Sequence, residues 1–264
     1  KLKKIFFVTP SEWSNYAFTE NKLTSVVIPH GVDTEIFQPK KILNELKSDN
    51  HEFIFFSIIG ANTRNKGADL LLAAYLKFLK KINLPSSLIL KVSSDLYSLT
   101  TTPLKYLLHG FKKEDQKLLI KHLRFIPDSV DFKNLVKLYN MSDCYICPYR
   151  AEGFNIPVLE AMACGLPVIC TKGGSTDEFL TESCCHTIQS TEGFSVVNIN
   201  SLVEGGYLLE PNVDDMVNKM IDIFNNRDKY GRRARECGPQ YVKENFRWEQ
   251  ICEKLKIFLK SNVG

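Results

Sequence analysis

Glu152 and Glu160 bracket a turn, Glu152-Gly153-Phe154-Asn155-Ile156-Pro157-Val158-Leu159-Glu160, that leaves an apolar run and enters a helical pattern. A glutamate one turn into a helix leans back toward the helix start, so both carboxylates can face one site. A carboxylate accepts two strong hydrogen bonds from neighbouring hydroxyls. Paired acids in this arrangement therefore suit vicinal diols, as sugars and ribose present them. The helix start between them offers unpaired N–H groups and a positive dipole end, which suits a diphosphate. Gly153 allows close approach of backbone to a ligand. Taken alone, the same residues also fit a surface glutamate and a capping glutamate.

A second stretch, Gly60-Ala61-Asn62-Thr63-Arg64-Asn65-Lys66-Gly67, again runs from an apolar segment through a loop into a helix. Arg64 can grip phosphate oxygens with its fork and Lys66 can act as a point charge, although a solvated basic loop would look the same. The GxxxxGK[ST] spacing of a P-loop is absent, and so is the GxGxxG of dinucleotide-binding proteins. Gly173-Gly174-Ser175 opens a further helical stretch and fits a ligand approach or a tight turn. His30 reads as a solvated loop histidine rather than a catalytic one.

The elements that must position these residues alternate strand and helix. Strands are predicted at Ile5–Val8, Ser25–Pro29, Phe53–Ile59, Leu88–Val92, Leu123–Ile126, Cys144–Cys147, Pro167–Cys170 and Tyr207–Leu209. Helices are predicted at Ser11–Thr19, Lys66–Lys81, Lys113–His122, Phe132–Asn140, Ile156–Cys164, Ser175–Thr181, Val213–Asn226, Lys229–Asn245 and Trp248–Lys260. This alternation predicts an α/β fold, a Rossmann-like parallel sheet with helices on both faces. Pro157 fits a first helical turn, and Gly165-Leu166-Pro167 stops the helix. In such a sheet both loops lie at the carboxyl edge, where ligands bind.

Composition narrows the class. Of 264 residues, 44% are apolar and 24% charged, a globular profile, and the net charge of +4 is too mild to argue for nucleic acid. No apolar run approaches the ~20 residues of a membrane helix. Eight cysteines in a chain this long, several inside apolar runs, point to buried free thiols and a reducing, cytoplasmic setting. Cys144 and Cys147 match CxxC, but strand alternation sends them to opposite faces and no second pair completes a zinc site, so no metal is expected. The segment 34–50 is polar and proline-containing and reads as a linker. Residues 1–33 hold too little for a domain and read as the remnant of an N-terminal one.

In this order the segments resemble glycosyltransferase family 4, of the GT-B fold. The resemblance rests on Val8-Thr9-Pro10-Ser11-Glu12-Trp13 and Val27-Ile28-Pro29-His30-Gly31-Val32-Asp33 at the domain junction, and on Arg64-Asn65-Lys66-Gly67. It rests also on Leu138-Tyr139-Asn140-Met141-Ser142-Asp143, on the E-x7-E turn, and on Phe246-Arg247-Trp248-Glu249. It implies a retaining, metal-independent transferase of which this chain is the C-terminal, donor-binding half. Residues 51–245 would bind the nucleotide sugar and 246–264 would form the closing helix. By position, Arg64 and Lys66 would neutralise the leaving diphosphate and Glu152 would contact the transferred sugar. Gly153, Phe154, Asn155 and Ile156 would offer amides, and Glu160 would hold the ribose. The base would lie near Phe125-Ile126-Pro127 and Leu135.

Two departures stand out: Arg64 is separated from Lys66 by Asn65, and Asn155 stands where glycine is common. The partners expected are a nucleoside diphosphate sugar as substrate, with no cofactor, and a sugar, glycan, lipid or protein acceptor. Peripheral membrane contact stays open. No segment here reads as the family's N-terminal domain, so activity is expected only when that domain is supplied in cis or trans. The rival readings are a nucleotide-sugar-binding or interaction module without transfer of its own, and a sugar-nucleotide epimerase of the same fold.

Overall fold

A computed structural model describes residues 5–40, 52–60, 64–82, 84–92, 107–126, 130–199 and 202–263. Strand β3 (Phe53–Ile59) shows how the sheet is assembled. Phe53, Phe55 and Ile59 point to one face and Phe56 to the other, as period-two alternation requires, and all four are buried. A strand apolar on both sides must be covered on both sides. Six parallel strands form the sheet: β4 (Ser86–Val92), β5 (Leu123–Ile126), β6 (Cys144–Cys147), β7 (Val168–Thr171) and β8 (Cys185–Ile188) beside β3, in the order β5-β4-β3-β6-β7-β8.

Helices α2 (Ala68–Lys81), α3 (Lys113–His122) and α6 (Val213–Asn225) cover the face of Phe53 and Phe55. Helices α4 (Phe132–Met141), α5 (Ile156–Ala163) and α7 (Arg227–Asn245) cover the face of Phe56. Cys144 falls in the first core and Cys147 in the second, so the CxxC pair is split by the sheet. The eight cysteines are free thiols, six of them buried. Among the described residues no helix is long and apolar enough to cross a membrane.

A smaller body joins both ends of the chain. β1 (Phe7–Thr9) pairs in parallel with β2 (Ser25–Val27) around α1 (Glu12–Glu20). The last helix, α8 (Trp248–Val263), returns to it: Phe258 meets Phe6 edge-on, and Val32 bridges to Arg247. Trp248 packs on Gly31 so closely that a Cβ there would lie 2.8 Å from its ring. Of the segment read as a linker, residues 34–40 are held in place. Phe37 is buried in the core, and Asn140 exchanges hydrogen bonds with the backbone of Gln38 and Lys40. The remainder, 41–50, lies outside the described residues.

Several elements differ from the sequence-based expectation. The strand expected at Tyr207–Leu209 is the centre of β10 (Leu202–Pro211), paired antiparallel with β9 (Ser190–Ile199) in a separate two-stranded ribbon. Polar residues and glycines through both strands hide that ribbon from a search for apolar runs. Edge strand β8 carries only half-buried His186 and Thr187 between its ends and escaped for the same reason. The helix expected at Ser175–Thr181 is a 3-10 turn, Ser175–Glu178. It ends where Phe179 leaves the helical conformation to bury against Phe154 and Phe246. His30 is not a solvated loop residue: its ring is wedged edge-on between Phe154 and Trp248, and burial lowers its pKa.

Candidate active site at the switch point of the sheet

In chain order the sheet runs third, second, first, fourth, fifth, sixth strand, so the connections leaving β3 and β6 diverge in opposite directions. The crevice beyond the carboxyl ends of those two strands is where an open parallel sheet accepts a ligand. The loop after β3 carries Arg64 and Lys66, and the loop after β6 carries Glu152 and leads into α5.

The two loops are pressed together. The amide of Arg150 donates to the Asn65 carbonyl at 2.7 Å. Gly67 adopts φ +65°, and a Cβ there would lie 1.8 Å from the Pro148 carbonyl oxygen. That contact explains why the helix expected from Lys66 begins at Ala68, because Gly67 is left-handed and only glycine fits. Arg150, 6% exposed, ties the loops by its side chain as well. It donates twice to Asp69 (2.7 and 2.8 Å), twice to Glu210 (2.6 and 3.0 Å) and once to the Arg64 carbonyl (3.0 Å). Sequence reasoning passed over Arg150; an arginine directly after a buried strand was the signal that could have found it.

Helix α5 is fixed at both ends. Its carboxyl end closes in a Schellman motif: Gly165 N–H donates to Met162 O and Leu166 N–H to Ala161 O, with Gly165 at φ +75°. Helix α7 lies directly against it, for a Cβ on Gly238 would meet the Met162 carbonyl at 2.5 Å. At the amino end Asn155 is left-handed (φ 78°, ψ 62°) and donates through Nδ2 to Cys147 Sγ at 3.1 Å. Phe154 anchors the loop by its buried ring, and Ser11 and Ser14 both donate to the Gly153 carbonyl, at 2.6 and 2.9 Å. None of the amides of Gly153, Phe154, Asn155 and Ile156 finds a hydrogen-bond acceptor among the described residues. The turn therefore presents a row of unspent N–H donors at a helix start.

Lys66 and Glu152 form an ion pair, with side chains 23% and 14% exposed. Burial opposes the charge on Lys66, but Cys147 and Glu152 outweigh it and raise the ammonium pKa. Cys147 sits beneath this pair with its own pKa lowered, first by a hydrogen bond from Cys170 on the neighbouring strand and then, against burial, by Lys66. Arg64 reaches the same edge, but its side chain is exposed and makes no contact among the described residues.

Glu160 lies deeper, 9% exposed, on the same face of the sheet. The Tyr139 hydroxyl donates to its Oε2 at 2.7 Å. Burial pushes its pKa up to about 7, opposed by that hydrogen bond and by the charge of Lys91. Leu135 and Ile126 border this core, whereas Phe125 points through the sheet to the other one. Pro127 lies outside the described residues. The structure thus joins Lys66 directly to Glu152, sets Glu160 on the helix that their loop begins, and leaves Arg64 at the rim.

The family model for glycosyl transferases group 1 matches residues 39–240. A glycosyltransferase of Methanocaldococcus jannaschii is 25% identical over 245 residues, covering 88% of this chain and 52% of that protein. Among solved structures, Anabaena HepE in complex with UDP and glucose superposes with a TM-score of 0.72 at 16% identity, over 96% of this chain and 62% of HepE. The C-terminal domain of the group 1 protein LpcC from Francisella tularensis gives 0.58 at 21% identity, over 83% of this chain and 100% of that structure. The chain spans about half the length of the relative from Methanocaldococcus. With the family model covering most of its length and the sheet order and neighbours agreeing, this chain belongs to the group 1 glycosyl transferases.

Proposed function

We propose that this chain is the donor-binding half of a retaining sugar transferase of family 4, acting on a nucleoside diphosphate sugar without a metal or other cofactor. The observation that carries the reading is the switch-point crevice, where the Lys66–Glu152 pair stands beside the unspent amides of residues 153–156. The solved complex of HepE with UDP and glucose supports the nucleotide sugar, and the match to an isolated C-terminal domain supports the assignment to one half. Negative charge develops on the diphosphate as it leaves. Lys66 and the helix start are fixed opposite that charge, with Arg64 reaching it from the rim, which lowers the barrier with little reorganisation at the moment of reaction. Glu152 contacts the transferred sugar and Glu160 takes the ribose hydroxyls. The acceptor, a sugar, glycan, lipid or protein, is held by an N-terminal domain in cis or trans, on the cytoplasmic side. Closure of the two domains keeps water from the donor.

The test is a thermal-shift panel of UDP, GDP and ADP sugars. A ligand at a hundredfold its Kd stabilises the fold by about 2.7 kcal/mol, and one member of the panel is expected to raise the melting temperature accordingly. No shift with any of them at millimolar concentration removes the reading.

A further inference from the structure

We infer that Lys91 reads the nucleobase of the donor, selecting a base with an exocyclic carbonyl, uracil or guanine, over adenine. The inference rests on the donor-binding reading above and deepens it. Lys91 is a lone charge inside the otherwise apolar strand β4, and it is 8% exposed. Leu88, Leu90 and Val92 of that strand face the core under α2, and Ile89 faces the other. Alternation therefore sends Lys91 to the face of Ile89, Tyr139 and Glu160. Its register partners are Ile58 on β3 and Ile126 on β5, so it stands at the carboxyl edge one strand away from the switch point. Among the described residues its ammonium has no hydrogen-bond acceptor and no carboxylate within ion-pair distance. Glu160 is near enough to feel its charge but is bonded to Tyr139 instead.

Its stem is buried, but the ammonium, without a partner among the described residues, is not itself fully buried: it snorkels to the carboxyl edge, where a ligand can complete it. The ammonium has three donors and no acceptor, so it recognises an acceptor. The diphosphate is served by Lys66, Arg64 and the α5 amides, and the ribose diol by Glu160. What remains along the edge toward Ile126 and Leu135 is the base. Guanine O6 and uracil O4 are acceptors; adenine places an amino donor at the corresponding position, which an ammonium repels.

Titration calorimetry with UDP, GDP and ADP on the wild type, Lys91→Met and Lys91→Arg tests this. The wild type is expected to favour UDP or GDP over ADP. Lys91→Met is expected to weaken the favoured nucleotide by about tenfold or more, the worth of one hydrogen bond to a charged group. ADP is expected to change less than about twofold, as for a position making no hydrogen bond to the base, and Lys91→Arg to recover part of the loss. Methionine keeps the buried stem and removes only a charge that no described residue pairs, so the melting temperature of Lys91→Met is expected to be unchanged or higher, whereas a lysine that only supported the fold would lower it. An equal loss for all three nucleotides, no loss, or a wild type that favours ADP overturns the inference while the donor site stands. A wild type that binds none of the three removes the donor-binding reading itself.

Discussion

The two ends of the crevice are built differently. At the end proposed for the diphosphate the groups sit on loops, and their charges are already spent on each other: Lys66 is paired with Glu152, and the loops are locked by Arg150 and by Gly67 against Pro148. At the end proposed for the nucleoside the groups sit inside regular elements. Glu160 is on the second turn of α5, Tyr139 is on α4 and Lys91 is inside β4; Glu160 and the stem of Lys91 are buried, and Glu160 is bonded to Tyr139 rather than to Lys91. The contrast shows how one fold handles two electrostatic problems. A site proposed to receive a multiply charged group keeps its cation neutralised until the ligand arrives, which limits the cost of the empty state. A site proposed to receive a neutral base and diol holds its carboxyl in low dielectric, where each hydrogen bond to it discriminates more.

The sharpest way to break this contrast is at Lys66. Lys66→Ala removes the ammonium opposite the diphosphate and exposes it to the unneutralised carboxylate of Glu152. Loss of one charge-assisted bond is worth about 1.5–3 kcal/mol, so affinity for the nucleotide is expected to fall ten- to a hundredfold in titration calorimetry. Adding Glu152→Gln is expected to recover part of that loss, because the repulsion disappears with the carboxylate. The two substitutions are therefore non-additive, as for any pair in direct contact. Strict additivity would show that the pair seen in the empty structure does not act on the ligand.

The same contrast explains what was legible in the sequence. Glu152, Glu160 and Lys66 were visible because they stand at boundaries between an apolar run and a helical pattern, where the topology of a parallel sheet places ligands. Arg150 and Lys91 were not sought, because each sits within or directly after an apolar strand, and a run of apolar neighbours says that the strand is covered without saying what its one charged residue faces. The six-stranded order could not be read from alternation alone: β8 and the β9–β10 ribbon lack continuous apolar runs, and their pairing is decided by backbone register rather than by side-chain pattern. His30 was misjudged because polar neighbours along the chain gave no hint of Phe154 and Trp248, which are distant in sequence and adjacent in space.

At the nucleoside end the expected effect is smaller and depends on pH. Burial holds the Glu160 pKa near 7, above the value of 4.5 for a free glutamate. An acid with a raised folded pKa favours the fold at low pH and loses that contribution as pH rises through 4.5 to about 7. In the role proposed for Glu160, however, it is the ionised form that accepts both ribose hydroxyls. Affinity for a nucleotide sugar, whose phosphates do not titrate in this range, is therefore expected to rise about tenfold between pH 6 and 8, following the ionised fraction. The melting temperature of the empty protein, relative to Glu160→Gln, is expected to fall from pH 4.5 to about 7 and then to level off. In Glu160→Gln both profiles flatten. A wild-type affinity that stays level from pH 6 to 8 would place the ribose elsewhere.

The smallest effect belongs to Asn155, which stands at the seam between the two ends. Its left-handed backbone aims the amides of the α5 entrance, and its side chain donates to Cys147 beneath Lys66. Asparagine tolerates this conformation better than other non-glycine residues do, and glycine tolerates it without strain. If the backbone is what matters, Asn155→Gly keeps nucleotide affinity within about threefold, since the amides stay in place and the left-handed turn is relieved. Asn155→Ala then costs about 1–2 kcal/mol of stability, the penalty of forcing a Cβ into that conformation. If the hydrogen bond to Cys147 matters more, Gly and Ala are equally damaging. Comparing the two variants by chemical denaturation and calorimetry separates backbone geometry from side-chain contact at the one residue shared by the phosphate loop and the helix that carries Glu160.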